Sequence, residues 1–264
     1  MRKGIKYILL ISSISVIMGA IIIFLAFKFG LTVDASGKSV TNEYVFTDMV
    51  KDISLDISTT NIEFKKSEES KLKIISKEKT KIYCDFKIED ETLFIEQHDT
   101  REWYEKIMNF RIIRNKVTVY LPYDSFNNFV CDSSTGNIKF NDSFSFNDIT
   151  IDLSTGNVLL NDLNCNNLTV DSSTGNVKLN NVIVANKTKI DTSTGNITLD
   201  NCDSDYYKLS ASTGNIKCTN LKTLKKVDAK ASTGNVSVNK QSSLDIEPNL
   251  IARTSTGNIK IHFI

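Results

Sequence analysis

The 264 residues hold 32 Lys and Arg against 31 Asp and Glu, a formal net charge of +1 that excludes a strongly basic nucleic-acid binder. An apolar fraction of 41% excludes general disorder. With two Pro, one Trp and many β-branched residues, the chain leans toward strands.

The N-terminus stands apart from everything after it. No residue from Tyr7 to Phe27 is charged, and most are Ile, Leu, Val or Phe. As a helix rising about 1.5 Å per residue, this run just crosses a hydrocarbon core of about 30 Å. Arg2, Lys3 and Lys6 precede it, so the positive-inside bias puts the N-terminus in the cytoplasm. The expected placement is single-pass in the cytoplasmic membrane through residues 7–27, with the C-terminal domain extracellular. A cleaved signal peptide competes, with Met18-Gly19-Ala20 or Val33-Asp34-Ala35 as cleavage sites, but the run exceeds the usual apolar core of about 7–15 residues. No Cys follows the run to carry a lipoprotein anchor.

Residues 43–125 read as strands with charged outer faces: Leu72–Ser76, Ile82–Ile88, Thr92–Glu96 and Val117–Leu121 alternate apolar with polar residues. Arg101–Phe110 interrupts them with Trp103, Tyr104, Met108 and Phe110. Its spacing allows a short amphipathic helix over the open end of a core, or a binding patch at Trp103 and Tyr104.

The remainder is a repeat. Gly136, Gly156, Gly175, Gly195, Gly214, Gly234 and Gly257 each sit in Ser-Thr-Gly-Asn followed by Ile or Val, at spacings of 20, 19, 20, 19, 20 and 23. Apolar residues recur two and four places after each Gly, and five and seven places before it, which is the strand period. A polar pair such as Asn180-Asn181 follows five and six places on and marks a second turn. Twenty residues cannot enclose a core alone, so the coils must stack and pair in parallel. The Gly is expected at positive φ, and the flanking Ser, Thr and Asn as hydrogen-bonded ladders from coil to coil. Asp56–Phe64 matches the repeat with Thr60 in place of Gly. Antiparallel hairpins are the competing architecture.

This predicts an all-β chain: a single-stranded β-solenoid (β-helix) of about 20-residue coils behind one transmembrane helix. Its expected parts are a cytoplasmic stub and helix at 1–30, a linker at 31–42, an N-terminal β region and cap at 43–125, and the repeat solenoid at 126–264.

Catalytic constellations are not legible. His98 and His262 are far apart, without a nucleophile nearby, and the five Cys lack metal-like spacing. Cys131, Cys202 and Cys218 fall on inward columns and read as buried thiols. Asp132, Asp152, Asp171 and Asp191 recur four places before the Gly, as a divalent-cation or ligand-facing column or as a solvated face relieved by Lys139 and Lys178. The Ser-Thr-Asn array could hold glycan by regular hydrogen bonding. No cofactor is expected.

Three segments together resemble the DUF4097 family of bacterial adhesin-like domains: Phe46-Thr47-Asp48-Met49 leading into Ile53–Glu63, then Val117-Thr118-Val119-Tyr120-Leu121-Pro122, and the Ser-Thr-Gly-Asn series. The resemblance covers about residues 40–264 and implies a β-solenoid outside the cytoplasmic membrane, with no established catalytic residues. Some relatives accompany cell-envelope stress systems of Gram-positive bacteria, and the Lys-, Asn- and Ile-rich composition suits such a source. The expected function is a non-enzymatic, extracytoplasmic binding or adhesion module with cell-wall glycan or envelope proteins as partners and no nucleic acid. An accessory role in a Gram-positive envelope-stress response is the alternative, and a carbohydrate-active enzyme the remote one.

Overall fold

The structure is a computed structural model that describes residues 3–28, 37–108, 115–223, 225–243 and 247–264, with only part of the helical side chains. The second of the two expected cleavage sites, the first half of the linker and Phe110 lie outside the described residues. The chain divides into two compact units, Met1–Gly37 with Arg101–Ile112, and Lys38–Thr100 with Ile113–Ile264.

In the first unit, helix α1 runs from Lys3 to Lys28 and α2 from Trp103 to Met108. Among the described residues no helix is long and apolar enough to cross a membrane. The side chains of Leu9, Leu10, Leu25 and Phe27, among others in α1, are not among those described.

The second unit is all β. Its strands before α2 are β1 (Ser39–Phe46), β2 (Asp52–Ile57), β3 (Asn61–Lys66), β4 (Leu72–Lys79), β5 (Ile82–Glu89) and β6 (Thr92–Asp99), and β7 (Lys116–Leu121) follows it. Strand β1 thus begins inside the stretch expected to be linker. Long and short strands then alternate: β8 (Ser125–Thr135), β9 (Ile138–Phe140), β10 (Phe144–Thr155), β11 (Val158–Asn161), β12 (Leu163–Thr174), β13 (Val177–Asn180), β14 (Ile183–Thr194) and β15 (Ile197–Asp200). The same alternation continues through β16 (Asp203–Thr213), β17 (Ile216–Leu221), β18 (Val227–Thr233), β19 (Val236–Val238), β20 (Leu250–Thr256) and β21 (Ile259–Phe263).

All pairing within the repeat is parallel, coil on coil, as stacking requires. The two sides of the solenoid enclose one core. One side reads β5-β6-β2-β8-β10-β12-β14-β16-β20-β18, and the other β1-β4-β7-β3-β9-β11-β13-β15-β17-β21-β19. Among the described residues only the pairs made by β1, β4 and β5 are antiparallel, and they finish the stack beyond β6 and β7. The 43–125 region therefore continues the same sheet.

Spatial order departs from chain order at both ends. The β2/β3 coil lies between the β6/β7 and β8/β9 coils. At the far end β20 pairs with both β16 and β18, and β21 with both β17 and β19, so the Gly257 coil is inserted inside the Gly234 coil. Apolarity explains the choice. Leu250, Ala252, Ile259, Ile261 and Phe263 are all buried, whereas Val236 is 43% exposed. Val227, Ala229 and Val238 of the outer coil are only partly covered. The outer strands are short, and Lys226, Lys230 and Lys240 lie along them, a usual way to blunt a sheet edge.

The inward columns match the sequence phase. At the N-terminal end Phe64, Phe129 and Phe140 meet with ring centroids 4.6–5.3 Å apart. The middle coils bury Ile, Leu and Val. A further inward column, three places before each Gly, holds Ser133, Leu153, Ser172, Thr192, Ala211 and Thr254. Sequence reading missed it because Ser and Thr beside Gly look like turn residues.

The alternating 20 and 19 spacing has two separate local causes. Strands β8 and β10 pair at a uniform offset of 20, the extra residue lying in the Asn141–Ser143 corner. Strand β14 carries its extra residue as a bulge before Lys187, which shifts the register against both neighbours. Asp162, Asn181, Asn201 and Asn220 occupy the second turn with φ of 54–55°, a left-handed conformation that Asn and Asp tolerate better than other side-chain-bearing residues.

All five cysteines are free and buried, including Cys84 and Cys165. Burial pushes the Cys165 thiol up to about 12 and Cys202 up to about 11. Thiolate attack is correspondingly slow. We expect none of the five to react with an aromatic disulfide reagent in the folded chain, and all five after denaturation, as thiol titration would show.

Glu78 is a buried carboxyl that accepts the Cys84 N–H at 2.7 Å. Burial raises its pKa. A folded-state pKa above the unfolded one contributes stability at low pH that is lost as pH rises through the folded value. Glu78→Gln should therefore raise the urea midpoint above the parent's at pH 8 and leave it nearly unchanged at pH 4.

Candidate functional site

The turn column is built from its glycines outward. A Cβ at Gly175 would lie 2.6 Å from the carbonyl carbon of Gly156 in the next coil, and closer still to its oxygen. The same approach recurs at Gly156, Gly195, Gly214, Gly257 and Gly234, each against a neighbouring glycine. Positive φ is present at these six but not at Gly136, where the Thr60 carbonyl nonetheless blocks a Cβ. Close backbone approach is thus the stricter requirement. Thr60 escapes it because the β6/β7 layer beyond carries no such turn. There Gln97 Oε1 accepts from the amides of Ser58, Thr59 and Thr60 and from the Thr60 hydroxyl, at 2.8–3.1 Å.

Asn61, Asn137, Asn157, Asn176, Asn196, Asn215, Asn258 and Asn235 form one ladder in that spatial order. Each backbone N–H donates to the Oδ1 of the preceding Asn at 2.8–3.0 Å. The Asn side chains are therefore committed to holding the turns together.

Serine and threonine behave differently from expectation. Ser134, Ser154, Ser173, Ser193 and Ser212, and Thr135, Thr155, Thr174, Thr194 and Thr213, are exposed. Their hydroxyls make no hydrogen bond among the described residues. The flanking ladder is asparagine alone, because the Ser and Thr side chains point to solvent while only Asn reaches its counterpart one coil away.

Beside these hydroxyls runs the acidic column. Asp132, Asp152, Asp171 and Asp191 are in direct register. The register extends it through Asp56 to Glu96 on one side, and through Ser210 to Arg253 and Lys230 on the other. Asp56 was legible in the degenerate coil, four places before Thr60; Glu96 was not, since its coil lacks the motif. Neighbouring carboxylates follow the parallel-strand repeat of about 4.8 Å, in a line. Among the described residues no group of three or more His, Cys, Asp or Glu could hold a metal ion. Lys189 Nζ sits 3.0 Å from both oxygens of Asp171. Across the turn, Lys139, Lys178, Lys217 and Lys260 form a broken basic column three places after the Gly. The basic column ends at Glu63, which contacts Lys116 at 2.9 Å. Burial opposes ionisation of Glu63, but Lys116 and Asn141 hold its pKa below the ordinary value.

At the basic end of the acidic column an open hollow of about 350 Å³ is lined by Ser210, Ser212, Ser232, Ser255, Lys230 and Arg253. Arg253 is paired with Asp228, which lowers the Asp228 pKa. His98 Nε2 is 3.1 Å from Asp85 on the exposed β5/β6 hairpin, and His262 is exposed on β21.

The Toastrack DUF4097 family model matches residues 50–263. The chain belongs to the DUF4097 family. Its fold is shared by a proposed adhesin from Bacteroides fragilis at 18% identity and a TM-score of 0.54, with 86% of this chain and 97% of that one covered. A proposed adhesin from Parabacteroides distasonis follows at 13% identity and a TM-score of 0.51, with 86% and 98% covered. No curated protein sequence matches the chain significantly. The DUF4097 match begins at Val50, and so takes in the out-of-order β2/β3 coil as well as the repeat.

Proposed function

We propose that the chain is a non-enzymatic binding module of the cell envelope, anchored by α1 and presenting its hydroxyl and carboxylate columns to cell-wall glycan. The observation that carries this reading is the array of exposed Ser and Thr hydroxyls without intramolecular partners. Repeating every coil, they match a ligand that is itself a regular polymer rich in hydroxyl and amide groups.

The described side chains of α1 do not by themselves make a span; the anchor rests on the whole Tyr7–Phe27 sequence, uncharged throughout, within the 26 residues of α1. Ile11, Ile14, Val16, Ile17, Met18, Ile21 and Ile22 are all at least 50% exposed. From Tyr7 to Phe27 no side of the helix carries a charge, and a helix without a charged face belongs in a core or a bilayer. With Arg2, Lys3 and Lys6 inside, the β unit is extracellular.

The test is sedimentation of the full chain, in detergent, with purified wall sacculi. The comparison is a variant carrying Ser173→Ala, Thr174→Val, Ser193→Ala and Thr194→Val. These side chains are exposed, so the fold should persist. Binding should weaken at least about tenfold, or about 1.4 kcal/mol. Equal retention of both proteins, or of neither, rejects the glycan-binding surface.

A further inference from the structure

The β unit loses its chain twice at one end. Strand β1, reached from residues 29–38, pairs with β4, which pairs with β7. Strands β6 and β7 form the last parallel coil at this end, and the chain leaves it after Asp99 and returns at Lys116. The connection to α1 and the excursion bearing α2 therefore depart from the same end of the stack. Residues 101–112 group with the α1 segment and not with the solenoid.

That excursion carries Trp103, the sole tryptophan of the chain, at 72% exposure. An indole with an apolar body and one N–H donor suits the headgroup layer of a bilayer, where Trp is enriched. Ten residues, 29–38, separate α1 from β1, which limits their reach to about 33–36 Å. Charge does not drive the contact, because Arg101 and Lys106 are balanced by Glu102 and Glu105.

We propose that the Arg101–Met108 excursion is a second membrane contact, with Trp103 seated in the interface of the bilayer that α1 crosses. The proposal rests on the anchored reading above.

Because Trp103 is unique, its fluorescence reports the contact directly. The full chain is reconstituted in phosphatidylcholine–phosphatidylglycerol vesicles, with and without bromine on the acyl chains, and vesicle flotation is scored in parallel. The expected result is flotation, blue-shifted emission and loss of most of that emission to the brominated lipid. Flotation with red emission, quenched by aqueous acrylamide and untouched by bromine, overturns the second contact and leaves the anchor standing. Flotation with Trp103 shielded from both quenchers assigns it to a protein contact and also overturns the proposal. Failure to float removes the anchor, and this inference with it.

Discussion

Gly175→Ala should be among the most damaging single substitutions in the chain. The added methyl would fall on the main chain of Gly156, which is itself held in the stack by the Gly156 N–H to Thr174 carbonyl bond at 2.9 Å. Backbone cannot give way as a flexible side chain can, and the φ of +153° at Gly175 is one that an L residue rarely adopts. Both penalties act at once in the middle of a stack whose coils are stabilised by their neighbours. We expect a loss of more than about 4 kcal/mol, in the range reserved for severe mutations. The melting temperature should fall by roughly 10 °C or more. Thr60→Ala is the control, since Thr60 stands at the same turn with room for a side chain. It loses the buried hydroxyl bond to Gln97 and should cost only about 1–2 kcal/mol. Equal effects of the two substitutions in thermal melts would refute the close-approach account of the glycine column.

The second large effect concerns the inserted coil. Removing residues 249–264 deletes Leu250, Ile259, Ile261 and Phe263, each at most 1% exposed. At about 1.5–3 kcal/mol for each large apolar side chain, this removes about 6–12 kcal/mol as an upper bound, comparable to the whole stability of a domain. It also deprives β18 and β19 of their sheet partners among the described residues and uncovers β16 and β17. The truncated chain should therefore lose order back through at least the Gly234 coil, seen as rapid proteolysis from about residue 222 onward. Were the coils stacked in chain order, the same truncation would trim one terminal coil and leave residues 222–239 protected.

What was legible in the sequence was whatever a single coil decides for itself. The residues two and four places after each Gly point inward because a strand alternates, and the polar pair turns because Asn and Asp tolerate left-handed backbone. The burial of Cys131, Cys202 and Cys218 followed from their sharing columns with Ile, Leu and Val. Relations between coils were legible only in part. Chain-order stacking is the simplest inference from equal spacing, yet every coil offers the same edges, so which coil sits outermost is settled by how apolar its inward residues are. Val227, Val236 and Val238 against Leu250, Ile259 and Ile261 carried that signal, but weakly, at three positions among many. The ladder expectation failed for Ser and Thr for a related reason: all three residue types repeat identically, and only side-chain reach separates Asn from the hydroxyls. The acidic column was read as four Asp because the motif finds only motif-bearing coils. Its extension to Glu96 depends on β6 pairing with β2, which the residues of β6 alone do not declare.

The order of the coils is what places the hydroxyl and acidic columns in an unbroken array, so it bears the most direct test. Ser210 faces Arg253 across neighbouring strands, and Arg253 in turn faces Lys230. Parallel neighbours lie about 4.8 Å apart, within disulfide reach, whereas next-but-one strands are about twice that and beyond it. The native thiols are buried and should not interfere. Under mild oxidation Ser210→Cys with Arg253→Cys should form a disulfide in the folded chain, detected as a mobility shift reversed by reductant, while Ser210→Cys with Lys230→Cys should not. A disulfide from the second pair and none from the first would contradict the inserted coil and restore chain-order stacking.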